Sequence, residues 1–301
     1  MSTKRVAVIG CNSRIGPDII AELEASSLFT LTLLQRESSK PAPPHSSSTK
    51  VITLSNDFPS EQLISALQGH DALVSALPGS AVEPHKNLAN ACIKAGIKRF
   101  IPADYGSVDS SDSIVAELVP LYKQKTAVRE HLTQLSSQHP DFSWTSLVCG
   151  HFFDYGLQTE LLAFNVPKAT AEIFDGGDVK WSASTLAQIG KAVVGVLRKP
   201  EETRNKMLYM QSFCVSQNEV LAELEKVSGK KFKDEQLSSE EYIKGKKDAV
   251  DKGDRDATEQ MVAVLGLTRA NWTREKEFAN DLLGLKEENL AEVVKKTYDA
   301  L

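Results

Sequence analysis

RVAVIGCNSRIG, residues 5–16, joins an apolar run to a helical pattern through a turn bounded by two glycines. Five residues of strand-forming, mostly apolar character run into Gly10, and Gly16 opens a second pattern that carries apolar residues at helical spacing to residue 25. A strand that ends in a glycine turn and is followed at once by a helix is the start of a dinucleotide-binding unit. The first glycine lets the chain turn, a small residue in the middle lets the backbone approach the diphosphate, and the last glycine lets the helix pack on the strand. Here the order is G-x-x-S-x-x-G, with Ser13 in the middle place. The free amides and dipole at the start of the helix favour an anion, so Gly10, Cys11, Asn12, Ser13, Arg14, Ile15 and Gly16 are expected to form a phosphate loop.

Working outward, apolar runs of strand length recur at residues 30–34, 50–54, 72–77, 99–102 and 144–148, with helical patterns at 16–25, 61–67 and 81–95 between them. Strands alternating with helices imply right-handed crossovers, hence an α/β fold with a doubly wound parallel sheet of the Rossmann kind. SSKPAPPHSSS, residues 38–48, can sustain neither helix nor strand and is expected to be a mobile surface loop. Beyond residue 150 the texture changes. Ser216 with Glu219, and Ser238 with Glu241, have capping-box spacing ahead of helical runs, and residues 289–300 form a last amphipathic pattern. These features predict a binding domain over residues 1–155, rejoined by segments near 180–215, and a smaller, mainly helical substrate domain over 156–301.

Composition sets limits. The 301 residues carry 35 Lys and Arg against 40 Asp and Glu, a net charge of -5, which provides no basic footprint for nucleic acid. The start MSTKRVAVIG leads straight into a strand rather than a secretion signal, and no apolar run reaches the length of a membrane span. Cys11, Cys92, Cys149 and Cys214 are far apart with no C-x-x-C pair, which suits a reducing compartment; the expectation is a cytoplasmic protein, monomer or homodimer, with no metal site. Cys11 lies near a helix N-terminus, where a thiol's pKa can fall, but no redox partner is evident and the residue reads as structural filling.

The second strand ends in Gln35-Arg36, about 20 residues past the last glycine, where NAD-binding folds usually place an acid. A guanidinium there suits a ribose 2′-phosphate, so NADP(H) is expected, with Ser38 or Lys40 as a second contact. Ligands in such sheets bind at the carboxyl ends of the strands. That singles out Ser75, Ala76 and Leu77; Pro102, Ala103, Asp104 and Tyr105; and His151, Phe152, Phe153 and Tyr155. Between the last two groups Lys125 and Arg129 stand four residues apart on one helical face, with Tyr122 one turn earlier; a lysine pointed into the cleft from there could bond the cofactor ribose and supply a proton.

Taken together, VAVIGCNSRIG, Arg36, VSALPGS, KRFIPADYG, the K-x-x-x-R of Lys125 and Arg129, and WTSLVCGHFFDY resemble the NmrA-like and isoflavone reductase-like family of atypical short-chain dehydrogenases. The resemblance implies an NADPH-dependent reductase of a small aromatic, enone or ketone-type molecule. It makes Lys125 the catalytic lysine, Phe152 the ring packed by the nicotinamide, and Arg36 the phosphate-binding arginine. Tyr105, Tyr122, His151, Phe153 and Tyr155 are candidate substrate contacts. Two departures limit it: plant reductases of the group usually have asparagine where this chain has Gly150, and Ser-Glu-Phe-Gly where it has residues 103–106. Some members of the family bind NADP(H) as sensors without turnover, which is the alternative.

Overall fold

The computed structural model describes residues 5–106 and 108–301. The domain expected to begin at residue 1 is therefore followed from Arg5. Its first six strands are β1 (Arg5–Ile9), β2 (Thr30–Arg36), β3 (Lys50–Leu54), β4 (Ala72–Ser75), β5 (Arg99–Ile101) and β6 (Ser143–Val148), separated by α1 (Gly16–Ala25), α2 (Ser60–Leu67), α3 (Val82–Ala95), α4 (Ser113–Leu118) and α5 (Pro120–Gln138). Then follow β7 (His151–Phe152), α6 (Phe153–Gln158), β8 (Phe164–Asn165), β9 (Thr170–Phe174), β10 (Trp181–Ser184), α7 (Leu186–Arg198), β11 (Lys206–Tyr209), β12 (Phe213–Val215) and α8 (Gln217–Ser228). The chain closes with β13 (Lys233–Leu237), α9 (Ser239–Asp251), α10 (Arg255–Arg269), α11 (Asn280–Leu283) and α12 (Leu290–Tyr298).

The main sheet has the order β11-β6-β5-β4-β1-β2-β3, and every pairing in it is parallel. The order reverses between β1 and β4, which opens the crevice where doubly wound sheets take their ligands. β1 shows why the sheet is buried on both faces. Val6 and Val8 enter a core built with Ile19, Ile20 and Leu23 of α1 and Ile189, Val193 and Val196 of α7. Ala7 and Ile9 point the other way, onto Leu63 of α2, Leu88 of α3 and Leu132 of α5. That two-sided burial accounts for the continuous apolar run where a one-sided strand would alternate.

The return of the chain to the main sheet is carried by β11, which pairs with β6 from Lys206↔Thr145 to Tyr209↔Val148. α7, just before it, packs on α1, and the helices come close at Gly190, where a Cβ would lie 2.7 Å from the Asp18 carbonyl oxygen. The second half is mainly helical, as expected, and it also contains strands. Two three-stranded sheets, β12-β10-β7 and β13-β9-β8, support its helices. They enclose a third core of Phe153, Phe164, Trp181, Phe213 and Leu224. The expected helix caps are present: Ser216 and Glu219 form a reciprocal capping box at α8, and Ser238 accepts from the Glu241 amide at α9.

Residues 38–48 contain neither strand nor helix, yet they are tied down. Asn12 of the phosphate loop donates to the Lys40 carbonyl at 2.7 Å, and Glu24 of α1 accepts from the Ser46 amide at 2.8 Å and the Thr49 hydroxyl at 2.6 Å. Among the described residues, no helix is long and apolar enough to cross a membrane.

Candidate active site

β1 and β4 are in register with Ile9 opposite Ser75, so the turn after β1 lies against the segment after β4. Gly10 adopts φ +85°, and a Cβ on it would lie 2.6 Å from the Ala76 carbonyl carbon. One on Gly16 would lie 2.5 Å from the Gly10 and Cys11 carbonyl oxygens. Both glycines are therefore required by close backbone approach. The loop between them is held by the Ser13 amide, which donates to the Gly10 carbonyl at 2.9 Å, and by the Ser13 hydroxyl, which accepts from the Gly16 amide at 3.2 Å.

A cleft of about 220 Å³ opens above this turn. Its walls bring together Gly10 to Ser13, the end of β2 at Gln35 and Arg36, and Ala76 to Pro78. Three separately expected segments thus converge. Arg36 is exposed and has no ion-pair partner among the described residues, so its charge is available to an anion. The Gln35 side-chain oxygen is buried at the same cleft without a hydrogen-bond partner. A cradle that a Cβ would fill, a free guanidinium and an orphaned polar atom fit an NADP-like dinucleotide. Cys11 lines the cleft, but burial pushes its thiol pKa up, in line with structural filling.

Further along the sheet edge, three turns are locked together. His85 of α3 is buried; its Nδ1–H donates to the Ala81 carbonyl at 2.7 Å, which leaves Nε2 to accept from the Ser75 hydroxyl at 3.0 Å and the Ala103 amide at 3.4 Å. Burial lowers its pKa, keeping the ring neutral as this arrangement requires. The residue joins the ends of β4 and β5. Sequence reasoning missed it, although His85 shares a helical face with Leu88, Ala89 and Cys92, and a polar group on such a face needs a partner.

Lys125 occupies the next position. It does not stand openly in the cleft: its side chain lies beneath residues 103–106 and the residue is 6% exposed. Its ammonium donates to the Asp104 carbonyl at 3.1 Å and the Tyr105 carbonyl at 2.8 Å, and lies 3.8 Å from the Asp104 carboxylate. Gly79 makes room for the lysine stem, since a Cβ there would come within 3.1 Å of it. Burial is the largest cause lowering the Lys125 pKa, with the Asp104 carboxylate opposing it. Arg129, one turn on, lies 3.3 Å from Asp104 and 3.4 Å from Asp109, and Asp109 also accepts from the Tyr209 hydroxyl at 2.9 Å. The K-x-x-x-R pair thus closes a buried ionic network around the β5 turn. Burial, outweighing Arg129 and Lys125, raises the Asp104 pKa.

Phe152 is half-buried against the main core, and Gly106, at φ +95°, lies beside its ring. Gly150, at φ +65°, faces the β10 backbone, and a Cβ there would fall well inside contact with the Ser182 carbonyl oxygen. A side chain has no space at this position. Tyr155, next on α6, is half-buried, with the Arg14 guanidinium 3.9 Å from its ring centroid.

Three of the candidate substrate contacts are deeply buried. Tyr122 is enclosed in a core with Met261 and Leu265. Phe153 stacks with Trp181 and meets Phe213 edge-on. His151 bonds the Ala263 carbonyl at 2.9 Å and fills the space left by Gly266; burial brings its pKa down to about 4. In β7 successive side chains face opposite ways, so Phe152 turns to the main core and His151 to α10. Tyr105 is also buried, its hydroxyl without a hydrogen-bond partner.

A parallel doubly wound sheet with a glycine cradle at its switch point defines a Rossmann-type nucleotide-binding protein. The chain belongs to the NmrA-like family, whose profile matches residues 2–282. It is 30% identical to the oxidoreductase aprR of Aspergillus flavus over 296 residues, covering 97% of this chain and 98% of that protein. Among solved structures, AtPrR2 with NADP+ and (+)pinoresinol superposes with a TM-score of 0.75 at 21% identity, covering 99% of each chain. An isoflavone reductase superposes with a TM-score of 0.77 at 17% identity over the full length of both. These two likenesses are of fold.

Proposed function

We propose that the protein is an NADPH-dependent reductase of a small aromatic, enone or ketone-type molecule. The observation that carries this reading is the single cleft in which the phosphate loop, Arg36 and the turn after β4 meet. Gly10 to Gly16 would hold the diphosphate, Arg36 the 2′-phosphate, and Phe152 the nicotinamide face, where the cofactor supplies a hydride. Pro102, Ala103 and Asp104 bound the same edge. The oxidoreductase name of the Aspergillus flavus relative and the NADP+ of the AtPrR2 complex support the reading.

Lys125 is the residue proposed to assist the reaction. Its lowered pKa makes the ammonium a readier acid near neutral pH, and its charge stabilises negative charge developing on a substrate oxygen. To reach substrate it exchanges one of its two carbonyl partners.

That same engagement favours a second reading, an NADP(H)-sensing protein without turnover, because both short hydrogen bonds of Lys125 are spent on the backbone. Incubation with NADPH and a panel of aromatic ketones, enones and benzylic ethers separates the two. The reductase consumes NADPH with at least one acceptor. The sensor binds NADP+ and NADPH equally and consumes none.

A further inference from the structure

Arg14 stands in the phosphate loop, directly before Ile15, the N-cap residue of α1, whose own side chain offers no cap. Its guanidinium is exposed and lies over the Tyr155 ring at 3.9 Å from the centroid. Among the described residues Arg14 makes no ion pair, although Asp18 follows four residues later. A guanidinium held with its carbon over a ring keeps N–H donors available for an anion contact.

Tyr155 is itself fixed. Its amide donates to the Asp154 carboxylate at 2.9 Å, and both oxygens of that carboxylate accept from the Leu186 amide at 3.2 Å. The segment after Phe152 is thereby pinned to the start of α7, and α7 packs on α1. Tyr155 is thus a braced platform beside the phosphate loop.

We propose that Tyr155 is a positioning residue for the cofactor's diphosphate: it holds the Arg14 guanidinium by its face and presents its donor edge to the phosphates. The inference rests on the NADP(H) reading above and adds a coupling between the phosphate loop and the segment that carries Phe152. The arginine, stacked before the ligand arrives, loses less freedom on binding than a solvated one. Neither the family membership nor the relatives' names assign this role to Tyr155.

The test is a titration of the whole protein with NADP+ and, separately, with adenosine 2′-monophosphate, which has the 2′-phosphate but no diphosphate. Y155L should weaken NADP+ about three- to tenfold, the size of a partly exposed cation–π contact, while Y155F binds as the wild type does. R14A should lose at least as much as Y155L, and the double variant R14A/Y155L should lose no more than R14A. Adenosine 2′-monophosphate should bind all of them equally. Because Arg14 is exposed, R14K keeps the fold whatever Tyr155 contributes, and it should weaken NADP+ by removing the planar fork.

Unchanged NADP+ binding in Y155L or R14K overturns the proposal. So do equal losses for both ligands, or losses that simply add in the double variant. Wild-type protein that binds no NADP+ at all overturns the cofactor reading, and this inference with it.

Discussion

The Lys125 ammonium donates to the Tyr105 backbone carbonyl at 2.8 Å, so the lysine proposed to assist the reaction is also the brace of the loop that faces Phe152. Removing it leaves two buried carbonyls without a donor and weakens the compensation of Asp104. K125M should therefore lower the free energy of unfolding by about 3 kcal/mol, from lost charged hydrogen bonds and a broken buried network. Urea denaturation measures this; an unchanged midpoint would contradict the bracing role. NADP+ affinity should stay within about tenfold of wild type, since the diphosphate cradle lies elsewhere, on β1 and α1.

Arg36 ends β2 at the cleft with its guanidinium unpaired. R36A should weaken NADPH by about 10- to 100-fold, the worth of charge-assisted hydrogen bonds to a phosphate, and leave NADH within about twofold. Parallel titrations with the two cofactors check it. Equal losses would place Arg36 outside the 2′-phosphate contact.

At Gly150 the close β10 backbone and φ of +65° leave no room for a side chain. G150N should cost at least about 2 kcal/mol of stability, through steric overlap and a strained backbone. A thermal melt that matches the wild type would show that β10 can shift without cost.

Stability should also fall in mild acid. His151 has its pKa lowered to about 4 by burial, below the ordinary value near 6.5, so the unfolded chain binds a proton that the folded chain refuses. Stability from this group is complete above pH 6.5 and is lost as pH falls towards 4, by about 3 kcal/mol in all. His85 acts in the same direction. Denaturation series at pH 7 and pH 5 measure the slope, and H151Q should flatten it; an equal slope in H151Q would assign the effect to other groups.

Most of the nucleotide-binding half was legible because its signals are local. β1, β3 and α1 fall where an apolar run meets a glycine or a change of period, and Gly10 and Gly16 mark where backbones touch. Several strands of the second half were not legible: β7 and β8 have two residues each and β12 three, too short to display alternation, and the residues of β13 before Leu237 are polar and exposed. The site was legible as a set of neighbouring segments but not in its facing. His151 and Phe152 are adjacent in sequence and opposite in space, and Lys125 turns under a loop that no spacing rule could place above it. His85 was missed because its partners, Ser75 and Ala103, come from two other strands.

Hydride delivery at this cleft, with help from Lys125, is the step on which the proposed function stands. Single-turnover transfer of deuterium from nicotinamide-labelled NADPH to an accepted ketone, enone or benzylic ether tests it most directly, with wild type and K125M compared at saturating cofactor. Label should appear in the wild-type product, and K125M should bind the cofactor yet transfer label at least about 100-fold more slowly. Label transferred by K125M at the wild-type rate would contradict the role of Lys125, and bound NADPH that transfers label to no acceptor would contradict the reductase itself.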